Sequence, residues 1–118
     1  MLTNRSMPAS PVIPVLAYPD VTEAVEWLCE TFGFTERWRA GRHRAQLAIG
    51  DAAVAVTEGS SGSGGANVMV RVEDVDAHCA RASERGAQVS GPPADYPYGE
   101  RQYSAVDRGG HAWTFSQS

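Results

Sequence analysis

The stretch Val15-Leu16-Ala17-Tyr18-Pro19-Asp20-Val21 decides how the chain folds, because Met69-Val70-Arg71-Val72-Glu73-Asp74-Val75 repeats its pattern 54 residues later. Each run alternates, is rich in strand-forming residues, and ends at an Asp suited to cap a helix. Gly33 closes the first helical segment and Gly86 the second, and each leads into another strand-like run. Two β-α-β-β-β units are expected. They make an α+β fold in which two small mixed sheets form a cup, a shape that holds small molecules.

The 118 residues form one domain, with a first unit over 12–58, a Gly/Ser linker over 59–66 and a second unit over 67–118. Val12 to Tyr18 is expected as the first strand, with Pro14 at an edge position. Asp20 and Glu23 have capping-box spacing, and Val21, Ala24, Val25, Leu28 and Phe32 then recur at helical spacing. Strands follow at Phe34 to Ala40, Arg44 to Ile49 and Ala52 to Thr57. In the second unit Asp74 caps a helix that turns Val75, Cys79 and Ala82 inward. A short strand at Ala87 to Ser90, a long loop from Gly91 to Glu100, and strands at Gln102 to Val106 and Ala112 to Ser116 complete it. Strand alternation puts Leu16, Val68, Val70, Val72, Trp113 and Phe115 under the helices. Ile13, Val15, Ala17, Ala55, Asn67, Met69, Arg71, Ala112 and Thr114 fall on the open face.

An apolar fraction of 42% and a charged fraction of 20% fit a soluble globular protein. The net charge of −4 carries no basic footprint for nucleic acid. No apolar run approaches the roughly 20 residues of a membrane span. The first ten residues lack a signal-peptide core and are expected to form a polar tail. Cys29 and Cys79 lie in separate helices, which suggests reduced thiols in a cytoplasmic protein rather than a disulfide framework.

The C-terminal run Tyr98-Gly99-Glu100-Arg101-Gln102-Tyr103, followed by Asp107-Arg108-Gly109-Gly110-His111-Ala112-Trp113-Thr114-Phe115, resembles the "YGxR … DPxGHxWxF" ending of the vicinal oxygen chelate superfamily. That superfamily groups glyoxalase I, extradiol dioxygenases, fosfomycin-resistance enzymes and bleomycin-resistance proteins. The resemblance runs from Val12 to Phe115 and departs at Arg108, where proline is usual. It implies metal ligands on the first and last strands of each unit. The matching positions here are Ile13, Ala55, Asn67 and Thr114: two hydrocarbons and two neutral oxygen donors, a poor set for a divalent cation. No metal and no other cofactor is therefore expected. His43, His78 and His111 lie on three separate elements without ligand spacing, and His111 is expected to shape its turn.

Arg71 projects from the same strand face as Asn67, where the resemblance implies a guanidinium that holds a substrate carboxylate. A salt bridge to Glu73 or another acid along the cup wall is the alternative. Trp38, Tyr96, Tyr98 and Tyr103 have rings placed to stack on a flat guest. Candidate ligand-binding residues are Arg71, Asn67, Met69, Trp38, Tyr98, Arg101, Tyr103 and Thr114. The resemblance also implies a homodimer, in which copies exchange strands or modules so that each cup uses both chains. Three functions compete: a protein that binds an antibiotic or metabolite; a lyase, isomerase or dioxygenase with an unusual or absent metal; and an accessory domain with a vestigial cup. A metal-free enzyme would draw its acid-base groups from Arg71, His111, Glu58 and Tyr103.

Overall fold

A computed structural model describes residues 13–59, 67–97 and 99–118. The first unit comprises β1 (Val15–Tyr18), α1 (Val21–Phe32), β2 (Thr35–Ala40), β3 (Arg44–Ile49) and β4 (Ala52–Glu58). The second comprises β5 (Asn67–Arg71), α2 (Val75–Glu84), β6 (Gln88–Val89), β7 (Ala94–Asp95), β8 (Arg101–Val106) and β9 (Ala112–Gln117). Each unit builds a mixed sheet. The first has the order β1-β4-β3-β2, with β1 parallel to β4; the second has β5-β9-β8-β6, with β5 parallel to β9 and β7 paired with β8. The first strand of each unit is thus an edge strand beside the last strand of that unit.

The repeat noted in the sequence has the same local cause twice. The Asp20 carboxylate accepts from the Glu23 amide at 3.1 Å, and the Asp74 carboxylate accepts from the Ala77 amide at 3.0 Å. Each cap satisfies an amide that the first helical turn leaves without a partner. Val21, Ala24, Val25, Leu28 and Phe32 are all buried along α1, and Val75, Cys79 and Ala82 along α2. The carboxylate of Glu23 reaches Arg108 at 3.4 Å.

β1 begins one residue after Pro14, shorter than the alternation suggests, because proline has no amide to give the ladder. Its carbonyl still accepts from the Ala55 amide at 2.9 Å. The expected long loop from Gly91 to Glu100 contains the β7 pairing, closed by a hydrogen bond from the Tyr96 amide to the Glu100 carbonyl at 2.8 Å.

One apolar core serves both units. Phe32 at the end of α1 packs on Trp113 and Phe115 of β9, with ring centroids 5.6 and 4.9 Å apart, and Phe34 meets Trp113 at 5.3 Å. His78 of α2 bridges the same seam. Its Nε2 lies 3.0 Å from the Phe32 carbonyl, its Nδ1 2.5 Å from the Tyr103 hydroxyl, and its ring centroid 4.1 Å from that of Phe115. The helix-facing sides of the two sheets therefore share their interior, and the opposite, open face of each sheet carries the candidate site.

Candidate functional site

Strand register sets what each open face displays. On the first sheet Val15 sits opposite Ala55, which in turn sits opposite Gln46. Ala48 opposes Ala53, and Trp38 of β2 opposes Gln46. The face is a floor of small side chains with one half-buried indole on it. Gln46 is buried beneath Arg37, whose Nη1 donates to its Oε1 at 2.7 Å.

The second sheet displays polar groups. Met69 opposes Thr114, which opposes Ser104, and Arg71 opposes Ser116, which opposes Gln102. Asn67 and Thr114 are joined by hydrogen bonds of 2.9 and 3.3 Å, and Ser104 lies 3.1 Å from the Thr114 hydroxyl. Nearer the rim, Gln102 donates to Ser116 at 3.1 Å, Ser116 donates to Glu100, and Arg71 reaches the same Glu100 carboxylate at 3.1 and 3.4 Å.

Val15 opposite Ala55 and Met69 opposite Thr114 are equivalent pairs in the repeat, so Ala55 and Thr114 occupy equivalent places on the two last strands. Asn67 stands two residues before Met69 on the same face of β5, and Ile13 stands two residues before Val15, just ahead of β1. These are the four positions at which the resemblance implies metal ligands. They offer two hydrocarbon side chains and an Asn–Thr pair already bonded to each other. Neutral oxygens engaged in this way, with no imidazole or carboxylate beside them, do not fit a divalent cation. Among the described residues, no three of His, Cys, Asp or Glu come together as a ligand cluster elsewhere.

Two recesses of about 440 Å³ each run along β5. One is lined by Pro14, Ile49, Val54, Val68, Met69 and Arg71, among others, and is mainly apolar. The other also touches Arg71 and reaches Phe34 and His78. Arg71 stands where they meet.

The chain belongs to the Glyoxalase/Bleomycin resistance protein/Dioxygenase superfamily. The family model matches residues 12–115. TioX from Micromonospora sp. ML1 is 36% identical, with a TM-score of 0.81 over 92% of this chain and 96% of its own. A glyoxalase/bleomycin resistance protein/dioxygenase from Nocardioides is 22% identical, with a TM-score of 0.71 over 94% of this chain and 85% of its own. The fosfomycin resistance protein FosX from Listeria monocytogenes shares the fold at 16% identity, with a TM-score of 0.77 over 95% of each chain. No curated protein matches the sequence.

Arg71, Asn67, Met69 and Thr114 come together on one open face, and Trp38 lies on the other. Tyr98 falls outside the described residues. Two expected site residues are corrected. Tyr103 opposes Phe115 and lies buried under α2, its hydroxyl on His78, because the strand turns it away from Gln102 and Ser104. Burial pushes that phenol above its ordinary range. Arg101 also points to the helix side, where it pairs with Asp76 at 2.8 Å and Asp95 at 3.2 Å. The hydrogen bond from Arg101 holds the Asp76 carboxyl below its usual range.

The remaining acid-base candidates also divide. Glu58 pairs with His43 at the end of β4, in register with Tyr18 on the helix side. His111 lies 2.8 Å from the Ala17 carbonyl and edge-on to Tyr18, so its ring ties the β8–β9 turn to β1. Only Arg71 of those four stands on an open face. Glu100 is the site residue that sequence reasoning missed. It lies within the C-terminal motif, two places before Gln102, and strand parity gives it the open face.

Proposed function

We propose that the protein is a metal-free member of its superfamily that binds a small, flat molecule, an antibiotic or a metabolite, against its open sheet faces. The hydrogen-bonded Asn67–Thr114 pair carries this reading, since it occupies the positions from which a metal would be held. The half-buried indole of Trp38 offers a planar guest a ring to stack on, and the recess beside Met69 offers it depth. Two unpaired thiols, Cys29 and Cys79, fit a reducing compartment such as the cytoplasm.

We further propose that the working unit is a homodimer in which the exposed edges β1 and β5 meet a second copy. A lyase, isomerase or dioxygenase is the competing reading. It is less favoured because the acid-base groups it would use are, apart from Arg71, directed away from the open faces.

The test is a thermal-shift screen with planar heteroaromatic and glycopeptide antibiotics, coupled to elemental analysis of protein purified without chelators. A ligand at a hundredfold excess over its Kd adds about 2.7 kcal/mol of stability. The melting temperature should rise with at least one compound, and Trp38→Ala or Arg71→Ala should reduce the rise. A flat response across the panel, or stoichiometric zinc, nickel, manganese or iron, overturns the reading.

A further inference from the structure

We infer that Arg71 and Glu100 act together as a donor-acceptor clamp that selects a neutral amide edge on the bound molecule over a free carboxylate. The inference rests on the small-molecule-binding reading above and names the polar group that such a guest would carry.

Glu100 has only 18% of its side chain exposed and is fixed from behind by Ser116, which Gln102 fixes in turn. Arg71 is 62% exposed and gives Glu100 a single nitrogen, Nη1. Among the described residues its Nε and Nη2 hydrogens have no partner. The longer contact of the pair, 3.4 Å, goes to Glu100 Oε2, which keeps room to accept another hydrogen bond. Unspent donors thus stand beside an available acceptor, fixed by a buried serine.

A primary or secondary amide presents the complementary arrangement, with a carbonyl for Arg71 and an N–H for Glu100. A carboxylate has acceptors only. It would gain from Arg71 while standing against the negative charge of Glu100, and it would lose hydration for a pair that is already neutral overall.

The recess supplies the rest of the guest's environment. Met69, two residues before Arg71 on the same strand face, is 61% exposed and borders the apolar recess. A fused aromatic ring resting on that thioether would place its substituent at the Arg71–Glu100 pair.

Naphthalene-2-carboxamide and naphthalene-2-carboxylate share a ring and differ in the charge of the head group. Each would be titrated into isotopically labelled protein at neutral pH, with amide and Arg71 Nε resonances followed by NMR. The carboxamide should bind more tightly to the wild type and shift the Arg71 Nε signal. Glu100→Gln keeps an acceptor for Ser116 and removes the charge, so carboxylate affinity should rise roughly fivefold to tenfold. Arg71→Gln should move the preference the other way and weaken the carboxylate further. These opposed shifts hold the inference to account even if one variant folds poorly.

Both probes binding with the carboxylate preferred, and with Glu100→Gln leaving that preference unchanged, overturns the clamp while leaving the binding function standing. No perturbation of open-face signals by either probe in any of the proteins overturns the clamp and counts against the binding function too.

Discussion

Four donors converge on the carboxylate of Asp107. It accepts from the Tyr18 hydroxyl at 2.5 Å, the Trp113 indole at 2.9 Å, and the Gly109 and His111 amides at 2.9 and 3.0 Å. Tyr18 belongs to the first unit and Trp113 to the second, so one buried side chain joins both sheets to the turn between β8 and β9. Burial, and then the neighbouring Asp107 charge, pushes the Tyr18 phenol far above its ordinary range and keeps it a donor. Gly109 fits because a Cβ there would come within 2.5 Å of the Tyr18 ring. The glycine-rich turn of the family motif is therefore a structural joint, and Arg108 in place of the usual proline leaves that joint intact. Asp107→Asn keeps the shape but turns an N–H toward groups that also donate. Hydrogen bonds to a charged partner are worth about 1.5–3 kcal/mol each, and several are weakened together. We expect a loss of about 3 kcal/mol in chemical denaturation. A loss below about 1 kcal/mol would show that water replaces the carboxylate without difficulty.

The two helices are joined by His78, and that joint is sensitive to acid. Its Nε2–H donates to the Phe32 carbonyl while Nδ1 accepts from Tyr103, an arrangement that needs the neutral ring. Burial holds the His78 pKa below its ordinary value; the hydrogen bond to Phe32 opposes this and the charge of Arg81 adds to it. The unfolded chain therefore binds a proton at a higher pH than the native one. Stability from this residue is complete above about pH 6.5 and is lost as the pH falls from there through the lowered native value. Melting temperatures between pH 8 and pH 5 should fall more steeply for the wild type than for His78→Gln, and parallel curves would refute the assignment. Joints of this kind link residues far apart in the chain and lie beyond what local spacing encodes. Helix caps, inward faces and the succession of strands along the chain follow from local spacing, and the repeat around Asp20 and Asp74 carries them; the order of strands within each sheet does not. Tyr103 was misplaced because its aromatic character suggested a binding role. The polar, apolar, polar, apolar run Gln102-Tyr103-Ser104-Ala105 already assigns it to the core, although Val106 blurs the pattern. The β7 pairing is two residues long and has no periodicity to show. The partnership of Arg71 with Glu100 spans 29 positions, a contact that only the folded sheet creates.

Val15 and Met69 are large apolar residues left 58% and 61% exposed, and they occupy equivalent places in the repeat. Both sit on the open face of an edge strand, so each unit carries an exposed apolar residue on a strand that, among the described residues, has a neighbour on one side only. Monomeric proteins normally blunt such edges with charge or proline. Here Pro14 guards the start of β1 and Arg71 the end of β5, but among the described residues no strand pairs with the outer side of either strand centre. A twofold axis that sets β1 of one copy beside β5 of the other would bury Val15 of each copy beside Met69 of its partner, in two equivalent contacts. It would also bring the sheet face that carries Trp38 in one chain toward the polar face of its partner, which gives a flat guest an aromatic wall and a hydrogen-bonding wall together. Introducing Val15→Glu and Met69→Glu together places like charges on both edges and should convert a dimer to a monomer in light scattering, with the circular dichroism of the fold retained. Affinity for any compound found in the thermal screen should fall with the loss of the dimer. If the double variant is monomeric yet binds as tightly as the wild type, the guest is held within a single chain and the recess beside Met69 is sufficient. If the wild type is itself monomeric at the concentrations where it binds, the exposed pair serves the ligand directly, and each substitution alone should weaken binding.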